Sequence, residues 1–567
     1  MPSTAHHLLD ALQDNGVEWL FCNLGTDHAP LIEDIARREA EGLPAPQILL
    51  VPHENLAVHM AAGYAIATGR GQAVLVHVDA GTANAAMAMH NLARMRLPVL
   101  LMAGRAPFTS RGELPGSRDT YVHYIQEPFD QGSLVRPYVK WEYTLPSGVI
   151  TQEVLGRACS VMQSDPRGPV YLMLPREVLA QSWPAEQVHR PLFRALAAQD
   201  VADAALEPLA ERLLQAEAPL LITAYAGRNP QAVAVIDELA HFAGIRVCEF
   251  NPLYLNIPRS SPCFAGWQTA PWVAQADVGL MVDVDVPWLQ NEVAPPAGAH
   301  WTQVDVDALK RDLPLWSFPA AQRIEGDSAA ILARLLKLLR ERATPAFLAR
   351  AAQRLQTLQA EQLQRLQRLA ELALEPGLPG RINPHHLCAA VARRLGRADI
   401  VLNEAVRNAP AVFAQMPELQ PGSLVGLAGG GLGFSAGTAL GLKLARPQAT
   451  VVQFVGDGSF HFGNPEAALA VSQRYALPLL SIVLDNGGWS AVKEATLRMY
   501  PDGAAQKLGR FQSELGSAMD FAALARGAGA HGERLSDPAA IEGALDRAFD
   551  ALRAGRGALL QVAIGPH

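Results

Sequence analysis

The segment between residues 451 and 488 constrains the fold most. Val451-Val452-Gln453-Phe454-Val455 is an apolar run of strand length that enters Gly456-Asp457-Gly458. A helical pattern follows from Pro465 to about Tyr475, and Leu479-Leu480-Ser481-Ile482-Val483-Leu484 then leads into Asp485-Asn486-Gly487-Gly488. Strand, helix, strand is a βαβ unit, and its right-handed crossover makes the two strands parallel neighbours. Their polar ends then share one carboxyl edge of the sheet, where open α/β folds bind ligands. Asp457 and Asn486 are therefore expected side by side, although 29 positions separate them. With one loop carbonyl they offer the oxygen ligands that Mg2+ takes when it bridges a protein to phosphates. Either motif alone reads as an ordinary turn.

The same reading extends to the whole chain, which has room at 567 residues for about three domains. With 49% hydrophobic and 18% charged residues it can bury large cores. We expect α/β architecture with three doubly wound parallel-sheet domains. Residues 1–180 carry strand-like runs at Ile48-Val51, Ala73-His77, Pro98-Ala103 and Val170-Leu174, alternating with helical stretches. Residues 195–340 repeat the pattern through Pro219-Thr223, Ile245-Phe250, Val278-Val282 and Trp301-Val306. Residues 341–381 are expected as a helical linker, because Leu355, Leu358, Leu363, Leu366 and Leu369 recur at helical spacing from Arg350 to about Leu374. Residues 382–567 form the last block.

Composition excludes several classes. A net charge of -8 supplies no basic footprint for nucleic acid. Cys22, Cys159, Cys248, Cys263 and Cys388 are scattered without a Cys-x-x-Cys pair, so neither a disulfide framework nor a zinc site is expected. The amino terminus lacks a cationic and then apolar leader, and no run of 18 apolar residues occurs. A soluble, cytoplasmic protein that binds no membrane is expected.

Gly456-Asp457-Gly458 followed by Asp485-Asn486 resembles the signature of the thiamine-diphosphate (ThDP) enzymes, Gly-Asp-Gly and then Asn-Asn. The resemblance implies an N-terminal pyrimidine-binding domain, a central domain and a C-terminal diphosphate-binding domain, with ThDP and Mg2+ as cofactors. Asp457, Asn486 and the Gly488 carbonyl become the metal ligands, with Gly458 and Ser459 beside the diphosphate. The departure is Asp485, which either tightens the ion or caps a turn. Glu54, opening the small-residue helix that contains Ala62-Gly63-Tyr64-Ala65, takes the role of the activating glutamate at N1' of the cofactor's aminopyrimidine. Read alone it is a surface helix start. In Gly429-Gly430-Gly431-Leu432-Gly433, Leu432 takes the place of the apolar residue that supports the bent cofactor, beside Gly430. Residues Ala405 to Ala409 should face the diphosphate, including Asn408; Arg407 either pairs with phosphate or is an ordinary exposed arginine. The family also implies a homodimer or homotetramer with active sites shared between subunits.

Within the family, three stretches lean toward benzoylformate decarboxylase. Phe21-Cys22-Asn23-Leu24-Gly25-Thr26 resembles its substrate-carboxylate loop, with Thr26 replacing a serine, and His77 precedes Gly81-Thr82 as a catalytic histidine does there. Pro137 to Tyr143 agrees. Against this, Ile125-Gln126-Glu127 resembles the acetolactate synthases, which makes Gln126 a candidate for assisting carboligation. Asp283-Val284-Asp285 stands where those enzymes carry a flavin-binding stretch, so FAD is not expected. The sequence does not rank His28, His53, His59, His90 and His123. The expected activity is non-oxidative decarboxylation of a 2-oxo acid, with an acetolactate-synthase-like carboligase or a non-catalytic relative as alternatives.

Overall fold

The computed structural model describes residues 1–416, 419–427, 429–516 and 519–565; Ala428, ahead of the glycine run, lies outside them. The chain forms three parallel sheets, each with its own strand order. The first holds β1 (Trp19–Asn23), β2 (Gln47–Leu50), β3 (Gln72–Val76), β4 (Val99–Arg105), β5 (Glu142–Thr144) and β6 (Val170–Pro175), in the order β2-β1-β3-β4-β6-β5. The central sheet holds β7 (Pro219–Thr223), β8 (Arg246–Glu249), β9 (Val278–Val282), β10 (His300–Asp305) and β11 (Gln322–Glu325), in the order β11-β10-β9-β7-β8. A two-stranded antiparallel hairpin, β12 (Gly377–Leu378) and β13 (Arg381–Ile382), precedes the last sheet. That sheet holds β14 (Ile400–Glu404), β15 (Leu424–Gly426), β16 (Val451–Gly456), β17 (Leu480–Asp485), β18 (His531–Leu535) and β19 (Ala558–Ala563). Its order, β15-β14-β16-β17-β19-β18, repeats that of the first.

Each sheet is covered on both faces, which is why its strands read as nearly continuous apolar runs. Alternate residues of one strand serve opposite cores. Val74 and Val76 of β3 enter one cluster, and Ala73 and Leu75 enter the other. Five-residue β1 and three-residue β5 carried no strand signal in the sequence, and neither did β11; their pairing partners define them. The connecting helix runs Pro345–Leu374, starting earlier than expected, because Thr344 Oγ1 caps it by accepting from Phe347 N at 3.2 Å. Its Phe347, Ala351 and Leu358 belong to the core beneath the central sheet. All five cysteines are unpaired and buried. Among the described residues no helix is long and apolar enough to cross a membrane.

The first and last sheets are joined by two small-residue helices, Glu54–Thr68 and Ser435–Ala445, which touch backbone to backbone. A Cβ on Gly63 would lie 2.1 Å from Thr438 O, and one on Gly441 would lie 2.0 Å from Met60 O. The central sheet is fastened to the first by Arg96, which donates to Asp285 at 2.8 Å; Asp285 also accepts from buried Lys310 at 2.8 Å.

In an exposed helix, Gly63→Ala would gain about 1 kcal/mol of propensity. Here the atoms it meets are backbone and cannot rotate away, so overpacking of about 1–3 kcal/mol wins. We expect Gly63→Ala to lower the urea midpoint of unfolding; a raised midpoint would show that the helices separate without cost.

Candidate active site

Two clusters of polar side chains lie at carboxyl edges of the outer sheets. In the last sheet β16 and β17 are paired in parallel register, with Gly456 opposite Leu484, so the residues that follow them emerge together. Asp457 does not sit in a free turn as the sequence suggested. It opens the short helix Asp457–Phe462, where a carboxylate meets unpaired N–H groups. Gly458 has to be glycine because a Cβ there would lie 2.4 Å from the Trp489 ring. Asn486 Nδ2 donates to Ser490 Oγ at 2.7 Å, while among the described residues its Oδ1 accepts from Gly488 N alone, at 3.2 Å, and keeps a lone pair available.

Burial pushes the Asp457 carboxyl up to about 6, and the neighbouring Asp485 carboxylate adds to the shift; backbone N–H groups of Gly458 and Asn486 partly offset it. Asp485 itself accepts from Gly487 N at 3.1 Å and from Gln561 Nε2 at 2.8 Å, so it does cap the turn. Two close carboxylates in a half-enclosed site fit a divalent cation. Among the described residues no group of three His, Cys, Asp or Glu side chains could hold a metal. A cation here would rest on one carboxylate plus amide and carbonyl oxygens.

Beside Asp457 lies a cavity of about 430 Å³ whose wall includes Asn408, Gly430, Leu432, Gly458, Ser459, Asn486 and Gly488. The sequence-predicted diphosphate-side residues therefore converge. Arg407 also lines the cavity, but its guanidinium is ion-paired with Glu494. None of Thr26, Glu54, His77 and Gln126 lines it.

Those four belong to the first sheet. Asn23 of β1 stands opposite Val76 of β3, so Thr26 and His77 follow adjacent strand ends. Glu54 is buried, contrary to a surface helix start, and accepts from Asn84 Nδ2 at 3.1 Å. His77 Nδ1 is hydrogen-bonded to buried Asp27 Oδ1, and His77 Nε2 lies 2.8 Å from Gln126 Oε1. Two residues that the sequence presented as rivals are thus partners. With oxygen acceptors on both sides, both ring nitrogens can donate, which favours the imidazolium form. The Asp27 bond raises the His77 pKa above its ordinary value of 6.5, with Gln126 and Glu54 contributing, against desolvation. If Gln126 turns its amide, its NH2 can serve the neutral ring instead.

Two glycines make room for this pair: a Cβ on Gly25 would lie 1.9 Å from His77 Nδ1, and one on Gly104 would lie 1.2 Å from Asp27 Oδ2. Thr26 Oγ1 is 3.0 Å from buried His123 Nε2. His28 accepts from Gly25 N at 3.0 Å and turns Nε2 toward Asp27 Oδ2 at 3.4 Å. His59 is structural: it is fully enclosed, its pKa is pushed down to about 3 by burial, and it pairs with Asn91 at 3.1 Å. His53 caps its own helix, and His90 packs edge-on against Tyr138. Sequence reasoning missed Asp27, Asn84 and Glu404. The one available signal for Asp27 was its place beside Thr26, which matters only once β1 and β3 are known to be neighbours.

Parallel α/β sheets, polar clusters at the carboxyl edges of the outer two and a cavity beside one of them have the form of an α/β enzyme. Comparison with known proteins makes this specific. Residues 2–134 match the family "Thiamine pyrophosphate enzyme, N-terminal TPP binding domain", and residues 410–562 match "Thiamine pyrophosphate enzyme, C-terminal TPP binding domain". Benzoylformate decarboxylase of Pseudomonas aeruginosa is 28% identical, across 98% of this chain and 97% of that one. The acetolactate synthase large subunit of Haemophilus influenzae is 24% identical, across 96% and 92%. Among solved structures, a ThDP-dependent 4-hydroxybenzoylformate decarboxylase of Rhodococcus jostii RHA1 superimposes with a TM-score of 0.79 at 22% identity, covering all of both chains. The protein belongs to the thiamine-diphosphate-dependent enzyme family, and it is an enzyme.

The Asp27–His77 pair fixes a pH signature. The His77 pKa is raised and the Asp27 pKa lowered, the latter by His77 and His28 against desolvation. The stabilisation from His77 is full below its ordinary 6.5 and fades as pH rises through the raised value; that from Asp27 is full above its ordinary 3.8 and is lost as pH falls through the lowered one. Asp27→Asn should lower the His77 pKa, as read by an NMR titration of the imidazole. An unchanged titration would show that another group holds the proton.

Proposed function

We propose that the protein is a ThDP- and Mg2+-dependent carbon–carbon lyase that decarboxylates a 2-oxo acid without oxidation, in the manner of benzoylformate decarboxylase. The observation that carries this reading is the His77 imidazole, held at Nδ1 by Asp27 and protonated more readily than a free histidine. Decarboxylation ends when a proton captures the acyl carbon, and a positioned acid is what that step needs. The alignment with benzoylformate decarboxylase over nearly the whole chain supports the same side of the family.

ThDP supplies the carbon nucleophile and the electron sink for carbon–carbon cleavage. The chain's own groups bind and orient it. Asp457, the Asn486 amide oxygen and the Gly488 carbonyl would hold Mg2+ against the diphosphate, and the ion would offset the repulsion between Asp457 and Asp485. Leu432 lines the same cavity and would support the cofactor there. Glu54, buried beside Asn84, would share a proton with N1' of the aminopyrimidine. Thr26 would receive the substrate carboxylate, and His77 would move a proton at the carbonyl oxygen and the adjacent carbon. Because neither Glu54 nor His77 lines the cavity of Asp457, one subunit's Glu54 half is expected to complete another subunit's Asp457 half, in a homodimer or homotetramer.

A carboligase reading is favoured by one observation, the Gln126 amide at His77 Nε2, where it could orient a second carbonyl compound. The two readings separate by product. Purified enzyme with ThDP and Mg2+ is offered pyruvate, benzoylformate or branched 2-oxo acids, with and without an aldehyde acceptor, and CO2, aldehyde and acyloin are measured. We expect His77→Ala to lower aldehyde release by about 10²–10⁴-fold and Gln126→Ala to have a much smaller effect. The reverse order, with the dominant product lost in Gln126→Ala, makes the enzyme a carboligase.

Metal dependence has its own test. Calorimetry should detect ThDP binding with Mg2+ and none after EDTA, and Asp457→Ala should lose binding even with Mg2+. Equal affinity in all three conditions would remove the metal from the site.

A further inference from the structure

Glu404 ends β14 in full burial, yet it forms no ion pair among the described residues. A buried carboxylate without a cation is expensive unless donors surround it. Here the donors come from the glycine loop and the start of the next helix: Glu404 Oε1 accepts from Gly433 N, Oε2 accepts from Ser435 N at 3.0 Å, and the Ser435 hydroxyl also bonds the carboxylate. Ser435 begins the helix Ser435–Ala445, whose own N-cap residue, Phe434, supplies no side-chain cap. Burial pushes the Glu404 carboxyl up to about 7, held down by the Ser435 side chain and by the N–H groups of Ser435, Gly433 and Phe434.

A local Ser or Asp at position 434 could cap this helix without burying a charge. A cap that comes from a different strand does more, because it connects two segments. Residues 405–408 directly follow Glu404, and Gly430 and Leu432 directly precede Gly433; both stretches line the cavity beside Asp457. The glycine loop is also confined elsewhere. Gly433 has φ +90°, and a Cβ there would lie 2.3 Å from the Phe462 backbone. On the other side Asn91 Nδ2 donates to Gly431 O at 2.9 Å.

We propose that Glu404 is a positioning residue, a carboxylate tie that sets the height of Leu432 against the 405–408 wall and so holds ThDP bent for proton exchange, without touching the cofactor. The role assigned to Leu432 rests on the cofactor site described above. The tie acts through the Gly433 and Ser435 N–H groups and the Ser435 hydroxyl, so its loss frees the loop while Asp457, Asn486 and Gly488 stay in place.

The test uses full-length protein and Glu404→Gln, which keeps shape and burial but turns an NH2 toward backbone donors. Losing one hydrogen bond to a charged group corresponds to about 10- to 100-fold. We expect amide deuterium exchange in the 429–436 segment of the cofactor-free protein to accelerate by that order, with other segments unchanged. With saturating ThDP and Mg2+, deuterium exchange at cofactor C2 should slow by at least about tenfold, while inorganic pyrophosphate competes with ThDP as it does in the unmodified enzyme. Leu432→Ala should slow C2 exchange similarly, and adding Glu404→Gln to it should cost nothing further. Unchanged amide exchange in Glu404→Gln, or effects of the two substitutions that multiply, would overturn the tie. Were Leu432→Ala silent, or pyrophosphate unable to compete, the cofactor site itself would be misassigned, whatever Glu404 does.

Discussion

Parallel pairing is the constraint on which this structure depends. It places the carboxyl end of every strand on one edge of its sheet, and the chemistry-bearing residues follow those ends: Thr26 and Asp27 after β1, His77 after β3, Asn408 after β14, Asp457 after β16 and Asn486 after β17. The first and last sheets share one strand order, so the same edge is built twice in one chain. One edge gathers carboxylate, imidazole and amide side chains; the other gathers carboxylate and amide oxygens and glycines.

The close crossing of Glu54–Thr68 on Ser435–Ala445 locks these two edges into one body. Small residues on both helices bring their backbones into contact, and His59 and Asn91 extend that contact to Gly431. The helix that carries Glu54 thus braces the glycine loop of its own chain, while Glu54 itself stays outside the cavity beside that loop.

Three buried carboxylates of the site are compensated in three different ways, and the difference decides what each can do. Asp27 has imidazoles on both sides, which hold its carboxyl below the usual range, and in turn it favours protonation of His77. Asp457 has another carboxylate nearby and partial relief from backbone N–H groups, a deficit that suits a cation. Glu404 has N–H and hydroxyl donors from residues 433–435 and no cation among the described residues, which makes it a tie between segments. Residue type alone does not distinguish these roles; the neighbours do.

The sequence by itself determined the three α/β blocks, the βαβ unit behind Asp457 and Asn486, and the small-residue helix after Glu54. These are local patterns, in which apolar runs of strand length alternate with helical spacing and turn residues stand at the joints. Tertiary structure decided the rest. Short β1 and β5 exist through their partners, and Asp457 proved to open a helix. Gln126 lies far along the chain from His77, and Asp27 farther still, so their contact depends on strand order and on a loop folding back, neither of which leaves a periodic trace. Glu404 carries no local sign of its role, because the groups it holds, on Gly433 and Ser435, lie 29 and 31 residues downstream. Local backbone preference is written in neighbouring residues, whereas the compensation of a buried charge depends on whatever the fold brings beside it.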